Sequence, residues 1–417
     1  MIGSKGHRIV ASALLVVGVT WIQSTVVFAA PNQLPQEPPI MQVAAQQLDG
    51  PPPTNLSPRA AISPIHKMTP NTLQRQVFGF VNGGALSASG IGYTSWDLSQ
   101  LSTIAFFGLP VNPDSGEFTH NAGWNIWHSA LASSFINAAH AHGVKVELSL
   151  IYQNNGQSMC TALDHSQTTI DQAAAERLGA DGFNLDYEGL NQHCPDGTST
   201  RDKLTHFVQQ LRSRQLGSLT IDTYASSAED GAGFFDIGNL ARSVDSLVVM
   251  AYGMEISNGP CAKCLGPTSP LDAGNSGAYR WNFTRTTNVY RPWASQTILA
   301  LPWYGVKGCG PANAGANAAI SGSSGADPYR TIATYSSDAK IKSWSGIHRD
   351  LAGDEPWATY FSAYSNCWRE EYWDDATSLG QKEGLIKQGG FQGVGIFALD
   401  YGGGDPSLWQ ALRSYAG

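Results

Sequence analysis

Eight short apolar runs punctuate the chain, at 77–81, 101–109, 144–150, 182–187, 219–224, 247–252, 298–304 and 394–399. Several are nearly continuous in hydrophobicity, as strands are when both of their faces are covered. Between them the period changes. Over 201–216, Leu204, Phe207, Val208 and Leu211 recur at helical spacing, and Gly217 supplies a stop. Over 129–142, Leu131, Phe135 and Ala138 share one face, and Gly143 ends the helix. Strands that alternate with helices pair in parallel through right-handed crossovers. Eight such units in roughly 330 residues predict an α/β fold, the (β/α)8 TIM barrel. A doubly wound open sheet is the competing arrangement, but no GxGxxG follows the first strand. The stretch 306–388 is too long for one loop and predicts a small α+β insertion between strands 7 and 8.

Before the first strand the pattern is different. Lys5, His7 and Arg8 precede an apolar run, and Val27-Phe28-Ala29 ends in a small residue, so 1–29 reads as a secretory signal peptide. A membrane anchor is the alternative, but Gln23, Ser24 and Thr25 interrupt the apolar run and no basic stop-transfer patch follows. Ten prolines fall within 31–73, so 30–73 reads as a stiff linker, and 74–417 as the barrel. The expected location is extracellular or periplasmic, without stable membrane insertion.

Composition narrows the function classes. Net charge is −8, which excludes the basic face that a nucleic-acid partner would require. The six cysteines, Cys160, Cys194, Cys261, Cys264, Cys309 and Cys367, all follow the signal segment, and their even number in an exported chain favours disulfides. Cys261-x-x-Cys264 alone supplies half of a zinc site, with no second pair to complete it, so no metal or cofactor is expected. Sequence does not choose among most of the possible pairings. One pair is expected from position: Cys160 follows strand three and Cys194 follows strand four, and adjacent strands set those loops side by side.

The segment Asp181-Gly-Phe-Asn-Leu-Asp-Tyr-Glu188 carries the chemistry. Side chains alternate along a strand, so Asn184, Asp186 and Glu188 share one face and Phe183, Leu185 and Tyr187 the other. In a barrel the polar set points inward and climbs toward the C-terminal mouth, where active sites lie. Asp186 and Glu188 stand about 6.6 Å apart along the strand. At that range one negative charge raises the other carboxyl's pKa, and a protonated Glu at the rim is a general acid. A structural hydrogen-bond cluster is the bland alternative.

This segment resembles the DGxxxDxE signature of glycoside hydrolase family 18, the chitinase-like barrels. Val248-Val-Met-Ala-Tyr252, Ile298-Leu-Ala-Leu-Pro-Trp-Tyr-Gly305 and Gly393-Val-Gly-Ile-Phe-Ala-Leu-Asp400 resemble the family's later strands, and the likeness spans about 75–405. Asn184, the Pro-Trp-Tyr-Gly run, Cys309 and Pro328-Tyr-Arg-Thr-Ile332 look most like the di-N-acetylchitobiase branch. The resemblance implies hydrolysis of β-1,4-linked N-acetylglucosamine with retention, the substrate's own acetamide acting as nucleophile. It implies that Glu188 protonates the leaving oxygen, Asp186 orients the acetamide, Tyr252 hydrogen-bonds the acetamide oxygen, and Asn184 holds Asp186. Asp181 joins Asn184 as a supporting residue, and Met250, Trp303, Tyr304 and Phe397 are expected against the sugar, although Trp303 reads equally well as core. Gly253 and Phe397 depart from the Asp and Trp that many members carry. The implied partner is an N-acetylglucosamine oligo- or polysaccharide, bound by a monomer. Peptidoglycan or N-glycan cores are alternative substrates. A non-catalytic chitin-binding lectin is the alternative from another class; such lectins lose the acid, and Glu188 is present.

Overall fold

The structure is a computed structural model that describes residues 56–65, 73, 75–154, 157–255, 261, 263–274 and 278–416. The signal segment lies outside the described residues, as does most of the proline-rich stretch. The strands, in chain order, begin with β1 (Gln76–Asn82), β2 (Thr103–Pro110), β3 (Lys145–Gln153), β4 (Gly182–Glu188), β5 (Ser218–Tyr224), β6 (Ser246–Met250) and β7 (Thr297–Pro302). Then come β8 (Tyr304–Cys309), β9 (Ser321–Pro328), β10 (Ile341–Lys342), β11 (His348–Arg349), β12 (Pro356–Ser362), β13 (Cys367–Trp373) and β14 (Gly393–Phe397). Strands β1 to β7 and β14 pair in parallel and close into a barrel, in the order β1-β14-β7-β6-β5-β4-β3-β2. The chain therefore adopts the (β/α)8 TIM barrel.

Each apolar run became a barrel strand because helices cover its outer face. Tyr187 on β4, for example, meets Phe207 of the helix Thr200–Ser213, with ring centroids 5.3 Å apart. Ser199 caps that helix by accepting from the Asp202 amide at 3.0 Å. Gly217 then turns the chain into β5 with φ +118°, and a Cβ there would lie 1.9 Å from the Asp181 carbonyl oxygen. Only glycine satisfies both the dihedral and the close approach.

Strands β8 to β13 form the insertion between the seventh and eighth barrel strands, an antiparallel sheet in the order β10-β12-β13-β8-β9, with β11 on β12. Its strands run from Tyr304 to Trp373. The expected bounds 306–388 also took in Ala376–Gln388, which instead is the helix leading into β14. Asp375 starts it with a capping box shared with Ser378. Lys382 on this helix, fully buried, binds Asp374 at 2.6 Å and Glu355 at 3.2 Å. Glu355 in turn accepts from the Thr268 and Ser269 amides at 2.9 and 2.6 Å, which fixes the loop after β6.

The described part of the proline-rich stretch is docked rather than free. Residues 56–65 lie along the helix Ala130–Ala141: the Ala60 amide donates to Ser133 at 3.0 Å, the Ser63 amide to Asn137 at 2.7 Å, and Asn137 returns a bond to the Ala61 carbonyl at 3.1 Å. The Arg59 guanidinium covers the Trp127 ring and donates to the Trp127 and Leu178 carbonyls. Proline-rich chain is already extended, so little entropy is lost when polar helix side chains satisfy its backbone.

Three disulfides close the cysteine inventory: Cys160–Cys194, Cys261–Cys264 and Cys309–Cys367. The first is the pair expected from strand adjacency, and the second engages the CxxC thiols in a bond. Among the described residues no helix is long and apolar enough to cross a membrane.

Candidate active site

Register places the polar residues. On β3, β4 and β5, Ser149 lies level with Asn184, and Asn184 with Thr220. Glu147, Ser149 and Gln153 therefore face the lumen together with Asn184, Asp186 and Glu188, and with Thr220, Asp222 and Tyr224. Three adjacent strands thus build an acidic wall inside the barrel. On the opposite face of the same strands, Phe183, Leu185, Leu219 and Ile221 are buried in the core.

The hydrogen bonds revise one expected role. Asn184 accepts from Ser149 at 2.8 Å and donates to Thr220 at 3.1 Å and Asp222 at 2.9 Å. It does not hold Asp186. Residues two apart on one strand are about 6.6 Å apart, beyond an Asn side chain, whereas neighbouring strands are under 5 Å apart. Asp186 is held by Gln153, whose amide donates to its Oδ2 from the end of β3. The other oxygen, Oδ1, is buried with no hydrogen-bond partner among the described residues.

Burial sets the protonation. Asp186 is fully buried, and desolvation pushes its pKa up to about 7 against the Gln153 hydrogen bond, which pulls it down. Glu188 is raised well above the ordinary carboxylate range, first by desolvation and then by the Asp186 charge. It sits at the end of β4 and is the only one of the two that reaches solvent. Asp222 is also raised well above its usual value, by desolvation and by the Asp186 charge. An acid that keeps its proton stands at the mouth, with a second carboxyl directly below it.

Tyr252 follows β6, its ring edge-on to Tyr304 at 5.8 Å. Its hydroxyl senses the charges of Asp222, Glu188 and Asp186, after burial and Tyr304, so these groups converge on one space. Met250 lies at the end of β6, level with Tyr224, on the same inner face. Gly253 turns the chain away with φ +76°, a backbone that favours glycine over the Asp expected there.

Three expected site residues lie elsewhere. Phe397 is completely buried and packs among Phe80, Phe107, Tyr252 and Tyr401 at 5.5, 5.6, 6.1 and 5.9 Å. It supports Tyr252 and offers no face to a sugar. Trp303 is core, edge-on to Trp409 at 5.5 Å beneath the C-terminal helix. Asp181 precedes β4 and pins the opposite, N-terminal end of the barrel, accepting from the Val146 amide at 2.8 Å and meeting His140 at 2.9 Å. It is about 16 Å along the chain from Asp186. Sequence reasoning missed Gln153, Asp222 and Tyr224. Their signal was the same period of two that exposed strand four: Thr220, Asp222 and Tyr224 alternate in β5.

Asn282-Phe-Thr284 matches an N-glycosylation acceptor motif, but its asparagine has a structural role. Asn282 is buried and caps the helix Phe283–Tyr290, accepting from the Arg285 amide at 2.8 Å.

Comparison with known proteins places this geometry. Over 269 residues the chain is 26% identical to a probable endochitinase of Caenorhabditis elegans, covering 59% of this chain and 41% of that protein. Over 201 residues it is 25% identical to the probable di-N-acetylchitobiase 1 of Dictyostelium discoideum, covering 43% of this chain and 52% of that one. The chain thus matches about half the length of these relatives. Catalytic domain 2 of the Ostrinia furnacalis Group II chitinase shares the fold, with a TM-score of 0.66 at 17% identity over 82% of this chain and 96% of that one. So does a family 18 N-acetylglucosaminidase from Paenibacillus barengoltzii, with a TM-score of 0.63 at 17% identity over 81% of this chain and 99% of that one. The family model for glycosyl hydrolases family 18 matches residues 86–402, which include every residue of the acidic wall, and the chain belongs to that family.

Proposed function

We propose that this protein is a secreted retaining glycosidase that hydrolyses β-1,4-linked N-acetylglucosamine, in chitin or its oligomers. The observation that carries the reading is the placement of Asp186 and Glu188 on one face of one strand. A conventional retaining enzyme needs a nucleophile across the sugar from its acid. Here the carboxyls next to Glu188 are Asp186 and Asp222, which rise from adjacent strands on the same side. The attacking group must then come from the substrate.

The chemistry follows from the positions. The acetamide oxygen attacks the anomeric carbon as the glycosidic bond breaks, and Glu188 gives its proton to the leaving oxygen. The resulting oxazolinium ion is cationic, and the Asp186 carboxylate stabilises it from below while accepting the acetamide N–H. Tyr252 donates its hydroxyl hydrogen to the acetamide oxygen and aims it. Glu188, now ionised, takes a proton from water, which opens the ring at the anomeric carbon and restores the acid with net retention. The names of the relatives, an endochitinase and a chitobiase, favour chitin-type substrates. One solved relative is a mutant chitinase domain in complex with an N-acetylglucosamine oligosaccharide, (NAG)5. The three disulfides fit an oxidising, extracellular compartment.

Glu188→Gln tests the assignment. It removes the transferable proton at nearly constant shape, so kcat on chitotetraose should fall about 10²–10⁴-fold while oligosaccharide binding persists. A variant with near-normal kcat overturns the role of Glu188.

A further inference from the structure

Asp222 has no part in the scheme above, yet its surroundings are unusual for a bystander. It is completely buried on the inner face of β5. The register of β4 on β5 runs Asn184 to Thr220 and Leu185 to Ile221, so its next step sets Asp186 beside Asp222. Neighbouring strands lie about 4.8 Å apart, within reach for two short acids. One oxygen of Asp222, Oδ1, accepts from Asn184 at 2.9 Å. The other, Oδ2, is buried and unpartnered among the described residues, as is Oδ1 of Asp186. Two adjacent carboxyls thus each carry one orphaned oxygen, an arrangement that is costly for two carboxylates and favourable for an acid and a carboxylate.

We propose that Asp222 is a positioning residue for Asp186, holding a proton on Oδ2 and donating it as an O–H···O hydrogen bond to Oδ1 of Asp186. This deepens the reading of Asp186 and Glu188 as the catalytic pair and rests on it. The proton does not transfer during turnover. It satisfies both orphaned oxygens and keeps the Asp186 carboxylate ionised and aimed upward while Glu188, above it, keeps its own proton. The titratable groups that act on Asp222 are acids and a phenol: Asp186 and Glu188 from β4, Glu147 from β3, and Tyr252 after β6. Its carboxyl is raised well above the usual range, chiefly by burial and then by the Asp186 charge. Asn184 fixes the geometry. Its amide hydrogens are committed to Thr220 and Asp222, so Oδ1 of Asp222 is the acceptor and Oδ2 is left to carry the proton.

The test exploits the shape of asparagine. In Asp222→Asn the amide oxygen still accepts from Asn184 and the amide nitrogen donates to Asp186, so kcat on chitotetraose should stay within about tenfold of the parent. Asp222→Leu keeps the volume but removes the donor. A hydrogen bond to a charged group accounts for about 10–100-fold, so kcat should fall by that factor with KM little changed. The acidic limb of its pH–kcat profile should also move up by about one pH unit, because Asp186 loses a donor to its charged form. Equal loss in both variants, or an unmoved limb in Asp222→Leu, overturns the proposal.

A substrate-free measurement separates this idea from the proposed activity. Carbon-13 NMR of labelled aspartate carboxyls should show one that remains protonated at about pH 8, above the value of about 7 for Asp186, in the parent and is missing from Asp222→Asn. This decides the matter even where Asp222→Leu fails to fold, or where the parent cleaves no N-acetylglucosamine substrate and the activity reading falls alone. A fully ionised Asp222 at that pH overturns the proposal.

Discussion

Glu147 at the foot of the acidic wall offers a quantitative check on the electrostatics. It is buried within the lumen of β3, and its two oxygens accept from Ser218 at 2.6 Å and Thr220 at 2.7 Å. Desolvation pushes its pKa from 4.5 up to about 7, although both hydroxyls pull it down. Between those values the folded protein holds a proton that the unfolded chain has released. Stability from this group is therefore full below about 4.5, falls as pH rises through the window, and levels off above about 7. The complete loss is about 3 kcal/mol, and between pH 5 and pH 8 about 2–3 kcal/mol. Glu147→Gln keeps the shape and both hydroxyl partners but never ionises. Urea unfolding of the oxidised protein at the two pH values, followed by tryptophan fluorescence, reads the effect. Other buried acids are common to parent and variant, so the difference between the two reads Glu147 together with its coupling to Asp222. The variant should gain about 2–3 kcal/mol on the parent in going from pH 5 to pH 8. The carboxyl also borders a polar cavity of about 530 Å³ at the barrel floor, lined by Lys145, Arg212 and Asp245. Parallel pH profiles would mean that water in this cavity solvates the carboxylate, and would refute the reasoning.

Two further outcomes test the placement of particular residues. Asp181→Asn replaces the charged acceptor of His140 and the Val146 amide at the barrel floor with a neutral amide, and should cost about 1–2 kcal/mol of stability with kcat/KM unchanged, since Asp181 lies at the far end from Glu188. Loss of activity in a folded Asp181→Asn protein would return it to the site. Cys160→Ser with Cys194→Ser opens a crosslink spanning 34 residues between the helix Gln157–Asp164 after β3 and the loop after β4. Thermal unfolding should show a loss of about 3–4 kcal/mol, the loop-closure value for that length, and an unchanged transition would show that the crosslink adds nothing.

The barrel was legible because its strands are covered on both faces, so each appears as an unbroken apolar run such as 247–252 or 298–304. Strand four was legible for the opposite reason, since its polar residues interrupt that pattern at a period of two. Strand five carries the same period, but Ile221 and Leu219 dominate the run and masked Asp222. Gln153 was hidden because it ends β3 beyond the apolar stretch, and only register against Glu188 brings it to Asp186. The role given to Asn184 failed on reach: sequence neighbours on one strand are farther apart than cross-strand neighbours. Trp303 was left open between cleft and core and Phe397 was misplaced, because an aromatic residue at a strand's end looks the same from sequence whether it lines a cleft or fills the core beneath it. The docked segment 56–65 carries no periodicity, as its contacts are made by backbone groups, by Arg59 and by the isolated apolar side chains Leu56 and Ile62.

The central claim is that the substrate's acetamide is the nucleophile, organised by Asp186 and Tyr252 and driven by proton donation from Glu188. Matched initial rates on chitotetraose and cellotetraose address it most directly, because the two sugars share the β-1,4 linkage and differ in the acetamide. Turnover of chitotetraose, with cellotetraose inert at equal enzyme concentration, is the expected result. Comparable cleavage of cellotetraose would contradict it, since that substrate carries no group able to attack its own anomeric carbon in this way.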